Sequence, residues 1–172
     1  VTLPGHHVEF VSARSESYPA DSRKPHVEPA TLDEDLRRRD FTVNTLLMDF
    51  DGNLYDRLGG ARADLDARIL RTPADPLQTF SDDPLRMLRA VRFAAQLGFD
   101  LAPDLLPAMR QLRDRLVSPV ISAERIADEL RKMLLSERPR LALELLDSAG
   151  LLEGVLPELA ACKGVLQSGD PT

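Results

Sequence analysis

Asp83-Pro84-Leu85-Arg86-Met87-Leu88-Arg89-Ala90-Val91-Arg92-Phe93-Ala94-Ala95-Gln96-Leu97 is the stretch on which the reading of this chain turns. Its apolar residues fall on nearly every side of a helix, and a helix apolar all round is a buried one. The spacing predicts one helix from Asp83 to Leu97, closed by Gly98. Yet Asp83, Arg86, Arg89 and Arg92 recur along it at steps of three. Each step falls about 60° short of a turn, so the four trace a slanting stripe. Charges on a largely buried helix need partners. Pairing Asp83 with Arg86 at i, i+3 is one solution. A polar slot for a nucleotide is another. An Asp carboxylate accepts from an exocyclic amino group, and an Arg donates to a ring nitrogen. Cytosine and adenine offer that amino donor beside a ring acceptor. Guanine and uracil present the reverse order. One Asp/Arg pair can therefore accept C and A and refuse G and U, leaving the other arginines for phosphates.

Outward from this helix the chain divides. Downstream, Pro103 to Leu116 predicts a second helix, Ser122 caps a third, and Pro139 opens a fourth that Gly150 ends. In the third, Ile126, Leu130, Met133 and Leu134 recur at helical spacing. Upstream, Val8 to Ala13 is short and β-prone, and Ser15 to Ala30 reads as a loop. Thr31 and Glu34 form a capping-box pattern that predicts a helix through Leu36 and Arg38. Asp51-Gly52, between apolar runs ending in Leu54-Tyr55, signals a hairpin. The fold class expected is α+β, a piece with few strands followed by an all-helical piece. We place the first at residues 1–76, the second at 77–156 and a linker at 157–172. The chain starts at Val1 and ends, from Gly164, on a turn-like stretch, so both ends are expected to be cut.

Composition excludes several classes. With 43% hydrophobic and 29% charged residues in 172, the chain is globular rather than disordered or collagenous. Apolar runs are far shorter than the ~20 residues of a membrane helix, and no secretory leader opens the sequence. One cysteine, Cys162, excludes an internal disulfide and a Cys-based zinc site; it reads as a buried apolar filler in a cytoplasmic protein. A net charge of −6 argues against nonspecific polyanion binding. The 19 Arg against 3 Lys suit forked recognition of phosphates, although a GC-rich coding bias gives the same ratio.

Arg37-Arg38-Arg39-Asp40-Phe41-Thr42-Val43-Asn44 adds a second constellation: basic residues at a helix end, then an acid, an aromatic, a hydroxyl and an amide. Together with Asp56 to Gly60, Asp82 to Phe93 and Ser122 to Ile126, in that order and at that spacing, it resembles the class II tRNA nucleotidyltransferase and poly(A) polymerase family, which includes the CCA-adding enzymes. The resemblance runs from about Val8 to about Leu159. It implies that Arg39 and Asp40 contact the sugar and phosphates of the incoming nucleotide. Asp83 and Arg86 would read C and A, while Arg89 and Arg92 would help hold the nucleotide. Asp56, Gly59 and Gly60 would form the joint between head and neck. Three positions depart from the family pattern: Asp82 for Glu, Arg57 for the joint's Pro, and Thr45 for Ala.

The resemblance also implies two Mg²⁺-binding aspartates on early head strands, which would lie upstream of Val1; nothing in the sequence matches them. Glu9 stands where a third carboxylate is usual and is the one catalytic candidate. No complete metal set is expected, and Glu9 is the one possible ligand. Asp49-Phe50-Asp51 reads as a turn, His6-His7 as an exposed pair, and Asp33-Glu34-Asp35 and Asp64-Leu65-Asp66 as helix-start or surface acids. The expected parent reaction is nucleotidyl transfer from CTP or ATP to an RNA (tRNA) 3′ end with Mg²⁺, the chain alone being inactive. Expected partners are RNA and nucleoside triphosphates, with no membrane and with self-association through a cut surface. The competing expectation is a non-catalytic RNA- or partner-binding helical module. Double substitution of Arg89 and Arg92 is expected to separate the two by removing nucleotide binding while folding survives.

Overall fold

The computed structural model describes residues 2–3, 6–7, 10–17, 26–117 and 121–165. Its order begins with β1 (Thr2–Leu3), β2 (His6–His7), β3 (Arg14–Ser17) and β4 (His26–Pro29). Helix α1 (Leu32–Arg37), a 3₁₀ turn (Thr42–Thr45), β5 (Leu47–Met48) and β6 (Leu54–Tyr55) follow. Then come α2 (Ala61–Ala67), β7 (Ile69–Leu70), α3 (Pro76–Asp82), α4 (Leu85–Leu97) and β8 (Asp100–Leu101). The rest is helical: α5 (Leu105–Leu112), a 3₁₀ turn (Arg113–Arg115), α6 (Ala123–Leu134), α7 (Pro139–Ser148), α8 (Leu152–Val155) and α9 (Pro157–Ala161). This is the expected α+β arrangement, with few strands early and helices after.

Three local signals act as read. Thr31 caps α1 in a reciprocal capping box, its hydroxyl accepting from the Glu34 amide while the Glu34 carboxylate accepts from the Thr31 amide. The hairpin pairs Leu47 with Tyr55 and Met48 with Leu54. The Ser122 hydroxyl accepts from the Arg125 amide at the start of α6.

Other expectations are corrected. Of Val8 to Ala13, residues 8 and 9 lie outside the described set and residues 10–13 form no strand. The strand is Arg14–Ser17, inside and just before the expected loop, and it pairs antiparallel with His26–Pro29. Its Ser and Glu are poor strand formers, so the ladder depends on main-chain bonds that local propensity does not reveal. Helix α4 begins at Leu85 rather than Asp83, because Asp83 is extended at φ −141° as the residue before proline prefers. The helix expected from Pro103 to Leu116 spans Leu105–Leu112 and tightens into a 3₁₀ turn before Leu116. Cys162 is exposed, not buried, and its thiol donates to the Glu158 carbonyl.

The core has α4 at its centre. Leu85, Met87, Leu88, Ala90, Val91, Ala94 and Ala95 of this helix are buried. Helices α6 and α7 pack on it, and α3 packs on α5. Phe41 and Leu70, from before residue 77, belong to the same apolar cluster as Met109, Met133 and Leu146. Strands β7 and β8 join the two parts in parallel, Leu70 opposite Leu101. The early piece is therefore docked on the helical one through continuous packing. Among the described residues no helix is long and apolar enough to cross a membrane.

Candidate functional site

Asp40 ends the turn after α1 and is 8% exposed. Its Oδ2 accepts from Arg89 Nε at 2.8 Å and Nη2 at 2.5 Å. Its Oδ1 accepts from the Phe41 amide at 3.0 Å and Asn44 Nδ2 at 2.8 Å. Burial opposes the charge, but Arg89, Asn44 and the Phe41 amide outweigh it and hold the carboxyl below the ordinary carboxylate range. A carboxylate has about four acceptor sites, and these four donors fill them. The RRD motif and α4, 49 positions apart, are thus joined by a charge-assisted fork.

Asp35, read as a helix-start or surface acid, lies in the first turn of α1 and is buried. Oδ1 accepts from Arg38 Nη2 at 2.6 Å and from the Arg14 amide at 3.3 Å, and Oδ2 accepts from Arg39 Nη2 at 3.2 Å. Burial again opposes its charge, and Arg38, the Arg14 amide and Arg39 hold its carboxyl low. Arg39 also donates to the Asn44 carbonyl at 2.7 Å. Asp64, read the same way, lies in the first turn of α2, is likewise buried, and accepts from the Thr42 hydroxyl at 2.8 Å and Arg71 Nε at 3.2 Å.

Asp83 and Arg86 do not pair with each other. Asp83 Oδ1 accepts from the Leu85 amide at 3.1 Å, and Oδ2 from Arg125 Nη2 at 3.2 Å. Arg86 instead donates to the Arg38 carbonyl at 2.7 Å and the Thr79 carbonyl at 3.4 Å. Each keeps polar capacity, since a carboxylate has about four acceptor sites and a guanidinium has five N–H groups. Arg92, 12% exposed at its side chain, pairs with Glu129 of α6, 5% exposed, at 2.6 Å. Phe93 lies under both flanking guanidinium groups, 4.3 Å from Arg92 and 5.5 Å from Arg89, and its ring meets Phe41 edge-on at 5.6 Å.

The structure thus brings Arg39, Asp40, Asp83, Arg86, Arg89 and Arg92 onto one framework of α1, the 3₁₀ turn and α4. Arg125, Glu129 and Asp35 support it without having been singled out as site residues. Glu129 was legible: it lies three after Ile126 and four before Met133, on the apolar face of α6. In the Asp56 to Gly60 segment, the Asp56 carboxylate accepts from the Gly59 amide at 3.0 Å and the Arg62 amide at 3.1 Å, capping α2. Gly59 and Gly60 have φ of +78° and +88°, which only glycine adopts without strain. Arg57 pairs with Asp33 of α1 at 2.6 Å.

Glu9 lies outside the described residues. Among the described residues, no three His, Cys, Asp or Glu cluster as metal ligands do, so those residues do not fit the Mg²⁺ the resemblance implies. Asp49 is a turn residue, accepting from the amides of Asp51 and Asn53, Asn53 Nδ2 and the Tyr55 hydroxyl. The Asn53 contacts lead in lowering its pKa to about 2. An NMR pH titration of its carboxyl carbon should show that midpoint, well below the ordinary 3.8. A midpoint near 3.8 would contradict the turn geometry.

A family model described as "Poly A polymerase head domain" matches residues 1–71, and one described as "Probable RNA and SrmB- binding site of polymerase A" matches 98–163. The chain is 40% identical to a multifunctional CCA protein of Neisseria gonorrhoeae over 97% of its own length and 41% of the relative's. It is 38% identical to a tRNA nucleotidyltransferase of Schizosaccharomyces pombe, covering 91% of this chain and 33% of that one. The chain thus spans between a third and two fifths of these relatives. Among solved structures, a Bacillus stearothermophilus CCA-adding enzyme in complex with CTP matches with TM-score 0.69 and 43% identity, over 73% of this chain and 31% of that one. A tRNA nucleotidyltransferase complexed with a primer tRNA and an incoming ATP analogue matches with TM-score 0.65 and 31% identity, over 82% and 40%.

Proposed function

Because the chain belongs to the class II tRNA nucleotidyltransferase and poly(A) polymerase family, we propose that it carries the nucleotide-selecting part of an enzyme that extends RNA 3′ ends from CTP, ATP or both. In that reaction the RNA 3′ oxygen bonds to the α-phosphorus of the nucleotide. The bond from that phosphorus to the β-phosphate oxygen breaks, and pyrophosphate leaves with the electron pair. Mg²⁺ belongs to this proposal for the whole enzyme and supplies charge neutralisation when bound. The role proposed for this chain is recognition: Asp83 and Arg86 meet the base edge, Arg39 and Asp40 the sugar and phosphates, and Arg89 and Arg92 help hold the nucleotide.

The observation that carries this reading is the saturated Asp40. For a ribose hydroxyl to reach its carboxylate, a donor must withdraw. Asn44 and Arg89 are both part-exposed, but Arg89, whose side chain is 33% exposed, is the charged donor, and a triphosphate is a strong acceptor for it. Sugar recognition at Asp40 and phosphate recognition by Arg89 then become one exchange. Arg92 is held more deeply by Glu129 and contributes its charge from where it lies.

We assign residues 1–76 to the head, 77–156 to a helical neck facing RNA, and 157–172 to a linker. The division is one of role, since the core crosses residue 76. A reducing cytoplasm suits such a substrate and a chain whose one thiol is exposed.

Calorimetric titration of this chain with each of the four nucleoside triphosphates and Mg²⁺ tests the reading. ATP and CTP should bind, and GTP and UTP should not. Equal binding of all four would remove Asp83 and Arg86 from base selection. Binding of RNA with no nucleotide binding would favour the helical RNA-binding module instead.

A further inference from the structure

We propose that Asp35 is a positioning residue for nucleotide recognition, setting Arg39 directly and Arg86 through Arg38. The proposal rests on the assignment of Arg39 and Arg86 to the nucleotide. Asp35 is 6% exposed and spends one carboxylate oxygen on each of two arginines adjacent in sequence. Adjacent residues on a helix end do not share a face. Left to themselves, Arg38 and Arg39 would diverge into water, each with many rotamers. The shared acid folds both back against α1. Arg38 Nε also donates to the Arg14 carbonyl at 2.7 Å, while the Arg14 amide donates to Asp35. Both main-chain groups of Arg14, at the start of β3, are thereby fixed to α1.

The consequence reaches α4. Arg38, held at its side chain by Asp35 and at its main chain by the Glu34 and Leu36 carbonyls, accepts at its own carbonyl from Arg86 Nη2 at 2.7 Å, across 48 positions. Arg39, anchored by Asp35 Oδ2 and the Asn44 carbonyl, is kept beside Asp40, whose Oδ1 accepts from the Asn44 side chain. One buried carboxylate thus sets the direction of a donor for the phosphates and of a donor for the base. Holding those donors before the ligand arrives lowers the ordering cost of binding.

The test uses this chain with Asp35→Asn, Asp35→Glu, Arg39→Gln and the Asp35→Asn/Arg39→Gln double variant, helical content being checked by circular dichroism. Guanidinium ¹⁵N–¹H spectra are recorded without nucleotide, and ATP affinity is measured by calorimetry. In Asp35→Asn the signals of Arg39 and Arg86 should move toward those of free arginine, and ATP affinity should fall about tenfold, the scale of one charge-assisted hydrogen bond. Asp35→Glu, which keeps the charge, should recover part of that loss. The double variant should bind no more weakly than Arg39→Gln plus the small share carried by Arg86. Unchanged guanidinium signals, or losses that simply add, overturn the positioning role while leaving nucleotide binding by the parent chain intact. If the parent chain binds no nucleotide, the assignment of the site fails separately. The spectra then decide on Asp35: released arginines uphold the positioning, and unmoved ones overturn it.

Discussion

Arg89→Ala should destabilise the chain by about 3 kcal/mol and lower its melting temperature by roughly 6–12 °C. The substitution leaves Asp40 buried with its strongest donor gone. The value sits at the low end for orphaning a buried charge because Arg89 is 33% exposed and water can enter the gap. The effect should depend on pH in a defined direction. In the parent chain Asp40 has a depressed pKa, so it stabilises the fold above the ordinary carboxylate range and loses that contribution as pH falls through the depressed value. Without Arg89 burial prevails, the carboxyl takes up its proton at higher pH, and the penalty for an unpaired anion disappears. The stability gap between parent and variant should therefore narrow on going from pH 7 to pH 3, as followed by urea denaturation. A constant gap would falsify the account of Asp40 as a buried anion held by Arg89.

Glu129→Ala should cost about 3–5 kcal/mol, the largest single effect expected. Arg92 and Glu129 are both nearly enclosed, and the pair is the ionic tie between α4 and α6. Arg92 retains Gln96 and the Phe93 ring, neither of which neutralises it. Glu129→Gln keeps the shape and an acceptor and should cost less than half as much. Equal costs for the two variants would mean that packing volume, not charge, makes the interaction. The same reasoning revises the double substitution of Arg89 and Arg92. The two arginines share no hydrogen-bond partner but both lie over the Phe93 ring, so their costs should add only in part. Removing Arg92 orphans Glu129 as removing Glu129 orphans Arg92, so two losses of about 3 kcal/mol or more, even partly additive, approach the whole stability of an ordinary domain. Folding is therefore not expected to survive it, and Arg39→Gln separates binding from folding better.

The local signals that were legible are the ones satisfied within a few residues. Thr31 with Glu34, Ser122 with Arg125, and the Asp51-Gly52 hairpin each close over a handful of positions. Asp75 with Pro76 opens α3 on the same kind of signal, the aspartate accepting from the Gln78 amide, and it went unread beside the louder pattern from Ser81. What the sequence hid depends on distant partners. Asp35 and Asp64 look like solvated helix-start acids because nothing nearby marks Arg14 or Thr42 as their donors. Asp83 is paired from α6, 42 positions away, which no i, i+3 rule could supply. The two-residue strands β7 and β8 meet only because α3 and α4 bridge them. The site residues were recognisable as a set through long motifs, but which charge holds which was a product of the tertiary fold.

Helix α4 carries three arginines and no acid between Leu85 and Leu97. The counter-charge for Arg89 lies 49 residues earlier, and that for Arg92 lies 37 residues later. During synthesis, then, α4 leaves the ribosome with one arginine already provided for and another that must stay in water. Its docking onto the early segment can proceed at once through Asp40. Its far side can close only when α6 has emerged with Glu129. The placement of two acids on opposite sides of one basic helix thereby imposes a vectorial order of assembly, from the amino-terminal part toward the carboxyl-terminal one.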